Sequence, residues 1–193
     1  MPGEADRLRA ALLRPGDASS DFDLNPQISL PPDRILRPAA VLVAIWQDRL
    51  ILTKRASHLK HHPGQIAFPG GKVDAADVSH EAAALREARE EIGLPIDTVE
   101  ILGRLAAHET VTGFTMTPVL GLVRDVFDPI PEAGEVEEVF TVPLSHVLNP
   151  ANFTIESRLW RGQWRRFYTV PFGPYYIWGA TARILRGLAA RVQ

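Results

Sequence analysis

The stretch Arg86-Glu87-Ala88-Arg89-Glu90-Glu91-Ile92-Gly93-Leu94 carries two patterns at once. At about 100° per residue, Glu87, Glu90 and Glu91 fall within one helical arc roughly 100° wide, while Leu85, Ala88 and Ile92 fall on another. One helix therefore presents an apolar face to a core and a carboxylate stripe elsewhere. Its ends are marked as well. Ser79 suits the N-cap and Glu81 the first turn; Gly93 suits the left-handed position after the last turn, and Pro95 blocks continuation. The expected helix runs from 79 to 92. Glu87 and Glu91 lie four apart, so they repel by about 0.2–0.5 kcal/mol when exposed, and by more when partly buried. A divalent cation turns that repulsion into binding, and all-oxygen carboxylate ligands suit magnesium or manganese. Taken alone, the same residues also describe a solvated face on which Arg86 and Glu90 form a weak surface pair.

The segment before the helix narrows the choice. Phe68-Pro69-Gly70-Gly71-Lys72 places two glycines where the backbone can pass close to a ligand. It is not a Walker loop: Ile66 stands where the first glycine of that motif belongs, and Val73 where Ser or Thr belongs. Upstream, residues 55–72 read as a long Gly-, His- and Lys-rich loop, a feature that is usually functional inside a compact domain. Lys54, Arg55 and Lys60 supply fixed cations ahead of the glycine turn, suited to charge-assisted bonds with phosphate. His58, His61 and His62 raise the thought of zinc, but the carboxylates form a better-defined metal set.

Further out, the chain reads as mixed α and β. Residues 4–14 form a short helix closed by Pro15-Gly16, and residues 15–37 an irregular arm. Ala39 to Trp46 is an apolar run suited to a buried strand, Gln47-Asp48 a turn, and Leu50 to Lys54 a second strand. Short strands are expected near 99–106, 115–124 and 136–142, strand and loop over 150–170, and a closing helix from Tyr176 to Val192. The expected class is α+β, an α/β/α sandwich.

Composition sets outer limits. The chain has 193 residues, 46% of them hydrophobic and 23% charged, with a formal net charge of -2. Those values fit one soluble domain and give no sign of a nucleic-acid or membrane partner. No cysteine is present, which removes disulfides, thiolate nucleophiles and cysteine-type zinc sites. No run is long and apolar enough for a bilayer, and no signal or transit peptide is visible, so a cytoplasmic location is expected.

Together, the Gly-Gly turn and the acidic helix resemble the Nudix box, Gly-x5-Glu-x7-Arg-Glu-U-x-Glu-Glu-x-Gly-U, where U is bulky and apolar. Residues 86–94 match, with small Ala88 at the first U. In the front half, counted from Gly71, Asp77 replaces the first glutamate, and the gap to Arg86 is one residue too long. The resemblance implies a Nudix fold, a mixed β-sheet between helices with a loop-helix-loop catalytic box. The resemblance covers roughly residues 38–190 and does not explain the helix and arm at 1–37, so the expected organisation is 1–37 as helix and arm and 38–193 as the domain. By the same resemblance Glu87, Glu90 and Glu91 hold the divalent metal, magnesium or manganese, and Arg86 orients a glutamate. The general base is Glu87 or Glu135, the latter in Gly134-Glu135-Val136-Glu137-Glu138.

The segment from Ile51 to Gly71 also resembles the signature of the coenzyme A pyrophosphatase branch, Leu-Leu-Thr-x-Arg-[Ser/Ala]-x3-Arg-x3-Gly-x3-Phe-Pro-Gly-Gly. Leu52, Thr53, Arg55, Ala56, Gly64, Phe68, Pro69, Gly70 and Gly71 match, while Ile51 and Lys60 depart. Lysine at 60 keeps the charge but loses the bidentate fork. Thr110-Val111-Thr112-Gly113-Phe114 and Tyr176 to Ala182 also resemble this branch, the first as a substrate-site lining, the second as core packing. The implied reaction is hydrolysis of the coenzyme A diphosphate to 4'-phosphopantetheine and adenosine 3',5'-bisphosphate. Lys54, Arg55, Lys60, Phe68, Gly70 and Gly71 are the implied substrate contacts. The expected partner is a small-molecule nucleotide, with a homodimer also compatible. Other readings are a Nudix pyrophosphatase for ADP-ribose or another nucleoside diphosphate derivative, and a non-catalytic nucleotide-sensing module. An isoprenoid diphosphate isomerase is disfavoured, because that chemistry relies on a cysteine.

Overall fold

A computed structural model describes residues 4–14, 16–31, 33–160 and 162–193. Pro15, part of the expected stop of the first helix, lies outside them. In chain order the elements are α1 (Glu4–Leu13), β1 (Ser19–Ser20), β2 (Arg37–Trp46), β3 (Arg49–Arg55), β4 (Ile66–Ala67), β5 (Gly70–Lys72), α2 (His80–Ile92), β6 (Val99–Arg104), β7 (His108–Glu109), β8 (Phe114–Val123), β9 (Val136–Pro143), α3 (Leu144–Val147), β10 (Thr154–Trp160), β11 (Gln163–Thr169) and α4 (Gly179–Val192).

β2 organises the main sheet. Its apolar run pairs in parallel with β8 over ten residues, from Arg37↔Phe114 to Trp46↔Val123. It turns through Gln47 and Asp48, both at positive φ (49° and 56°), into antiparallel β3. That is the primed turn whose twist matches a hairpin. β3 pairs with β9 and β4; β8 also carries β6 and β7; β1 lies parallel to β7. The sheet is mixed.

Alternation along β2 then divides the interior. Val41, Val43 and Ile45 enter a core with Leu8 and Ala11 of α1 and Ile184, Leu185 and Leu188 of α4. Ala40, Leu42 and Ala44 enter a second core with Ala83, Ala84, Ala88 and Ile92 of α2. Successive side chains of a strand point to opposite faces, so one strand feeds both layers. The result is the α/β/α sandwich expected from the pattern.

Several expected boundaries move: β1 (Ser19–Ser20) lies within the segment read as an irregular arm, because it pairs with β7, and β2 starts at Arg37 rather than Ala39. The 55–72 segment contains β4 and β5, because Gly70–Lys72 finds a partner in β2 (Ala39↔Lys72, Val41↔Gly70). The last helix begins at Gly179 rather than Tyr176: Trp178 is extended (φ -149°, ψ 176°), Thr169 bridges to Trp178, and Val170 N–H donates to Ile177 O at 2.9 Å. Those residues extend the β11 end before the helix starts. Among the described residues no helix is long and apolar enough to cross a membrane.

Candidate functional site

Helix α2 forms where its capping signals place it. Ser79 accepts from Ala82 N–H at 3.1 Å, and Gly93 closes the last turn in the left-handed region (φ 68°). Its inner face is nearly all alanine, which lets the helix lie close to the sheet. The outer stripe is graded rather than uniform. The Glu91 side chain is buried, with the residue only 6% exposed. Glu87 is half-buried, and Glu90 is exposed.

The glycine turn runs beneath this stripe. Gly70 N–H donates to Glu91 Oε2 at 3.0 Å. A Cβ at Gly70 would meet Ala40 O at 2.5 Å and Val41 Cα at 2.6 Å, and the residue sits at φ 154°. A Cβ at Gly71 would meet Glu87 Cδ at 2.6 Å. One glycine lets β5 lie against β2; the other makes room for a carboxylate.

Arg86 is the hub. It holds Asp77 with Nε at 3.0 Å and Nη2 at 2.9 Å, Glu87 with Nη1 at 2.9 Å, Glu90 with Nη1 at 3.3 Å, and Lys72 O with Nη2 at 3.1 Å. The planar fork suits such simultaneous bonds. Asp77 in turn accepts from Asp74 N–H at 2.8 Å, and the Arg86 bond holds its carboxyl below the usual range. Asp77, the residue that departs from the box, thus fixes both the loop and the arginine.

Glu135 enters from the loop between β8 and β9. That loop is tied to the last turn of α2: Ile130 N–H donates to Ile92 O at 3.0 Å and Glu132 N–H to Glu91 O at 2.9 Å. Ala56 N–H donates to Glu135 O at 2.8 Å, fixing the loop to the end of β3. Glu87, Glu91 and Glu135 therefore share one field. Burial pushes Glu91 up to about 7, and the charges of Glu87 and Glu135 add to that rise against the lowering effect of the Gly70 bond. Burial also raises Glu87, against the pull of Arg86. Arg55 faces the same cluster electrostatically, and its Nε is buried without a hydrogen-bond partner.

The remaining expected substrate contacts separate. Lys60 is exposed on the loop after β3, as are His58, His61 and His62. Lys54 Nζ is 2.6 Å from Glu137 Oε1, and Glu137 Oε2 also accepts from Ser57 N–H and Oγ at 3.1 and 2.7 Å. Lys54 thus serves to hold the loop. Phe68, expected at the substrate, is 4% exposed and packs into the core shared with Leu52 and Ile66. Its role is support beneath the glycine turn. Thr181 Oγ1 donates to Ile66 O at 3.1 Å, so the start of α4 braces the same turn. The 110–114 loop is tied to the arm: Val111 N–H donates to Asp21 Oδ2 at 2.8 Å.

Among the described residues no three His, Cys, Asp or Glu side chains are gathered into a ready-made cation cage. The donor chemistry nevertheless fits a hard divalent cation. It is all oxygen, and a cation would relieve the repulsion that Glu91 meets from Glu87 and Glu135. Two cavities, one of about 310 Å³ bordered by Ser19, Leu105, Arg183 and Arg191, lie away from these carboxylates, and they do not change where the chemistry sits.

The chain is similar to several known proteins. A protein from Enterobacter sp. (strain 638), named uncharacterized Nudix hydrolase NudL, is 44% identical over 159 residues, covering 81% of this chain and 83% of that one. A protein of the same name from Salmonella newport (strain SL254) is 42% identical over 159 residues, with the same coverage. Among solved structures, the Nudix hydrolase RenU from M. smegmatis is similar at 25% identity and a TM-score of 0.45, over 57% of this chain and 71% of that one. A C. elegans Ap4A hydrolase in a binary complex is similar at 18% identity and a TM-score of 0.48, over 55% and 80%. The NUDIX domain model matches residues 36–160, which take in the glycine turn, the acidic helix and the Glu135 loop alike. The chain belongs to the Nudix hydrolase family.

Proposed function

We propose that this Nudix hydrolase cleaves the diphosphate of coenzyme A or its derivatives with the help of magnesium or manganese. The observation that carries the metal-dependent reading is Glu91: buried, bonded through one oxygen to Gly70 N–H, and facing Glu87 and Glu135. A buried unpaired carboxylate among like charges is costly and marks a functional site rather than a stabilising one.

Glu87, Glu90 and Glu91 would hold the cation, with Arg86 fixing Glu87 and Glu90 in reach. When bound, the cation would neutralise diphosphate charge and lower the pKa of water. Arg86 engages Glu87, whereas Glu135 stands exposed on a loop at the rim of the cluster. That supports Glu135 as the base that takes the proton from the attacking water. Water adds across the P–O–P link, and two phosphate monoesters leave. Arg55, with its buried unpartnered Nε, and Lys60, exposed on the adjoining loop, are the cations suited to substrate phosphate. The 51–71 motif is what favours coenzyme A over other diphosphates.

The test is a panel of coenzyme A, acetyl-coenzyme A, ADP-ribose and dinucleoside polyphosphates, with products weighed by mass spectrometry. The expected result is magnesium-dependent release of adenosine 3',5'-bisphosphate and 4'-phosphopantetheine. Fast turnover of ADP-ribose with coenzyme A untouched overturns the substrate assignment. No turnover of any member, with tight binding of one, supports the sensing module instead.

A further inference from the structure

We propose that the β10–β11 ribbon of one molecule docks on the 124–135 loop of a second copy of this chain, and reciprocally, forming a two-fold dimer that borders the carboxylate site. The inference is independent of which diphosphate is cleaved.

The outer strand of the ribbon, β10, is exposed along its whole length. It pairs with β11 from Thr154↔Thr169 to Trp160↔Gln163; β11 is also held by Asn25, which bonds Arg166 N–H and O, and by the Thr169–Trp178 bridge. A two-stranded hairpin alone is marginal in water. Its base is anchored: Phe167 packs on Trp178 with ring centroids 5.1 Å apart, and Tyr176 Oη donates to Glu156 Oε2 at 2.5 Å. Strand alternation and register put Ile155, Ser157 and Leu159 on one face with Tyr168, Arg166 and Trp164. On that face Ile155 is 43% exposed, Leu159 56% and Trp164 63%, with Leu159 directly opposite Trp164. No acid lies on it.

The 124–135 loop is its chemical complement. Val126 and Ile130 are 75% and 71% exposed. Asp125, Asp128, Glu132 and Glu135 surround them, and the loop's one cation, Arg124, is paired with Glu100. On the ribbon's apolar face the cation is Arg166, opposite Ser157, whereas Arg158 and Arg165 pair with each other on the other face, which also carries Glu156. Basic-aromatic thus meets acidic-aliphatic, a pairing that selects orientation as well as attraction. A second copy of this chain carries both halves, so each two-fold pair makes the contact twice. Seven residues at ~3.3 Å and two strands give a face of roughly 230 Å². Two reciprocal contacts, counted on both partners, bury about 920 Å², close to the roughly 1,000 Å² that a specific interface needs. The docked ribbon would sit on the loop that presents Glu135.

The experiment is analytical ultracentrifugation of the full chain at micromolar concentration, with circular dichroism to confirm folding. Wild type should sediment as a dimer. Trp164→Glu, on an exposed ribbon face, and Ile130→Glu, on an exposed loop, should each weaken the dimer at least tenfold while keeping their melting profiles. An equimolar mixture of the two variants keeps one intact ribbon–loop contact, so it should recover dimer that neither forms alone. A monomeric wild type overturns the proposal, whether or not the ribbon binds RNA instead. Loss of dimer with Trp164→Glu but not with Ile130→Glu also overturns it, since that pattern means ribbon on ribbon.

Discussion

Asp77 grips Arg86 through both carboxylate oxygens, at 3.0 and 2.9 Å, and its own side chain is only 6% exposed. The same guanidinium reaches Glu87 and Glu90. The aspartate bonds none of Glu87, Glu90 and Glu91 directly, yet through Arg86 it sets where two of the proposed cation ligands stand.

Asp77→Ala should therefore act on catalysis through position. Loss of an outer partner of metal-ligating groups typically costs about 10–100-fold. We expect kcat to fall by that order, KM to change less than about threefold, and the magnesium concentration for half-maximal rate to rise. Asp77→Glu should restore part of the rate. A steady-state series at varied magnesium checks this; an unchanged magnesium requirement would show a purely structural role.

Glu91→Gln separates stability from activity. The glutamine oxygen can still accept from Gly70 N–H, but the buried charge is gone. Without metal, this variant should be more stable than wild type at pH 8 by about 1–3 kcal/mol. It should also lose most activity. Thermal melts with EDTA and with excess magnesium test the pair: magnesium should raise the melting temperature of wild type and leave the variant nearly unmoved. A wild type indifferent to magnesium would contradict the cation assignment.

The two glycines should fail differently. Gly70→Ala sets a methyl against the backbone of β2 at a φ that L residues rarely adopt, so a loss of about 2 kcal/mol or more is expected. Gly71→Ala meets only the Glu87 side chain, which can move. It should fold with a modest loss, yet turn over substrate at least tenfold more slowly. Urea titrations beside rate measurements distinguish them, and equal stability losses would sink the distinction.

The Glu81–Arg104 pair gives a pH signature. Arg104 Nη2 donates to Glu81 Oε2 at 2.7 Å, and that partner holds Glu81 down to about 2. A depressed carboxylate stabilises the fold above its unfolded value of 4.5, and that contribution disappears as pH falls through about 2. The side chains are 25% and 47% exposed, so solvent screening keeps the pair's contribution small. Arg104→Gln should be slightly less stable than wild type at pH 7, and the gap should close on approach to pH 2. Urea midpoints at pH 7, 4 and 2.5 would show it; a gap that widens in acid would contradict the assignment.

Local signals made α2 readable in the sequence: Ser79 and Gly93 act on their own turns, and the alanine face is set by spacing alone. The β2–β3 hairpin was equally local. What escaped is non-local. Lys54 reads as a phosphate cation until Glu137 is found beside it, 83 residues on. Phe68 sits in a motif tied to substrate, yet packs under the turn with residues from other strands. Gly70–Lys72 has no strand propensity and is a strand only because β2 lies next to it. Asp77 was visible as a departure, but its grip on Arg86 depends on how the loop folds back over nine residues.

The bond from Glu132 N–H to Glu91 O closes a long detour in the chain. Everything between those residues, including three strands, leaves the site and returns to the same spot. Lengthening a surface turn inside that detour leaves the separation of Glu91 and Glu135 unaltered. Descendants of this chain are thus free to gain or lose residues at such turns, while an insertion of one residue between Glu132 and Glu135 would shift the carboxylate at once.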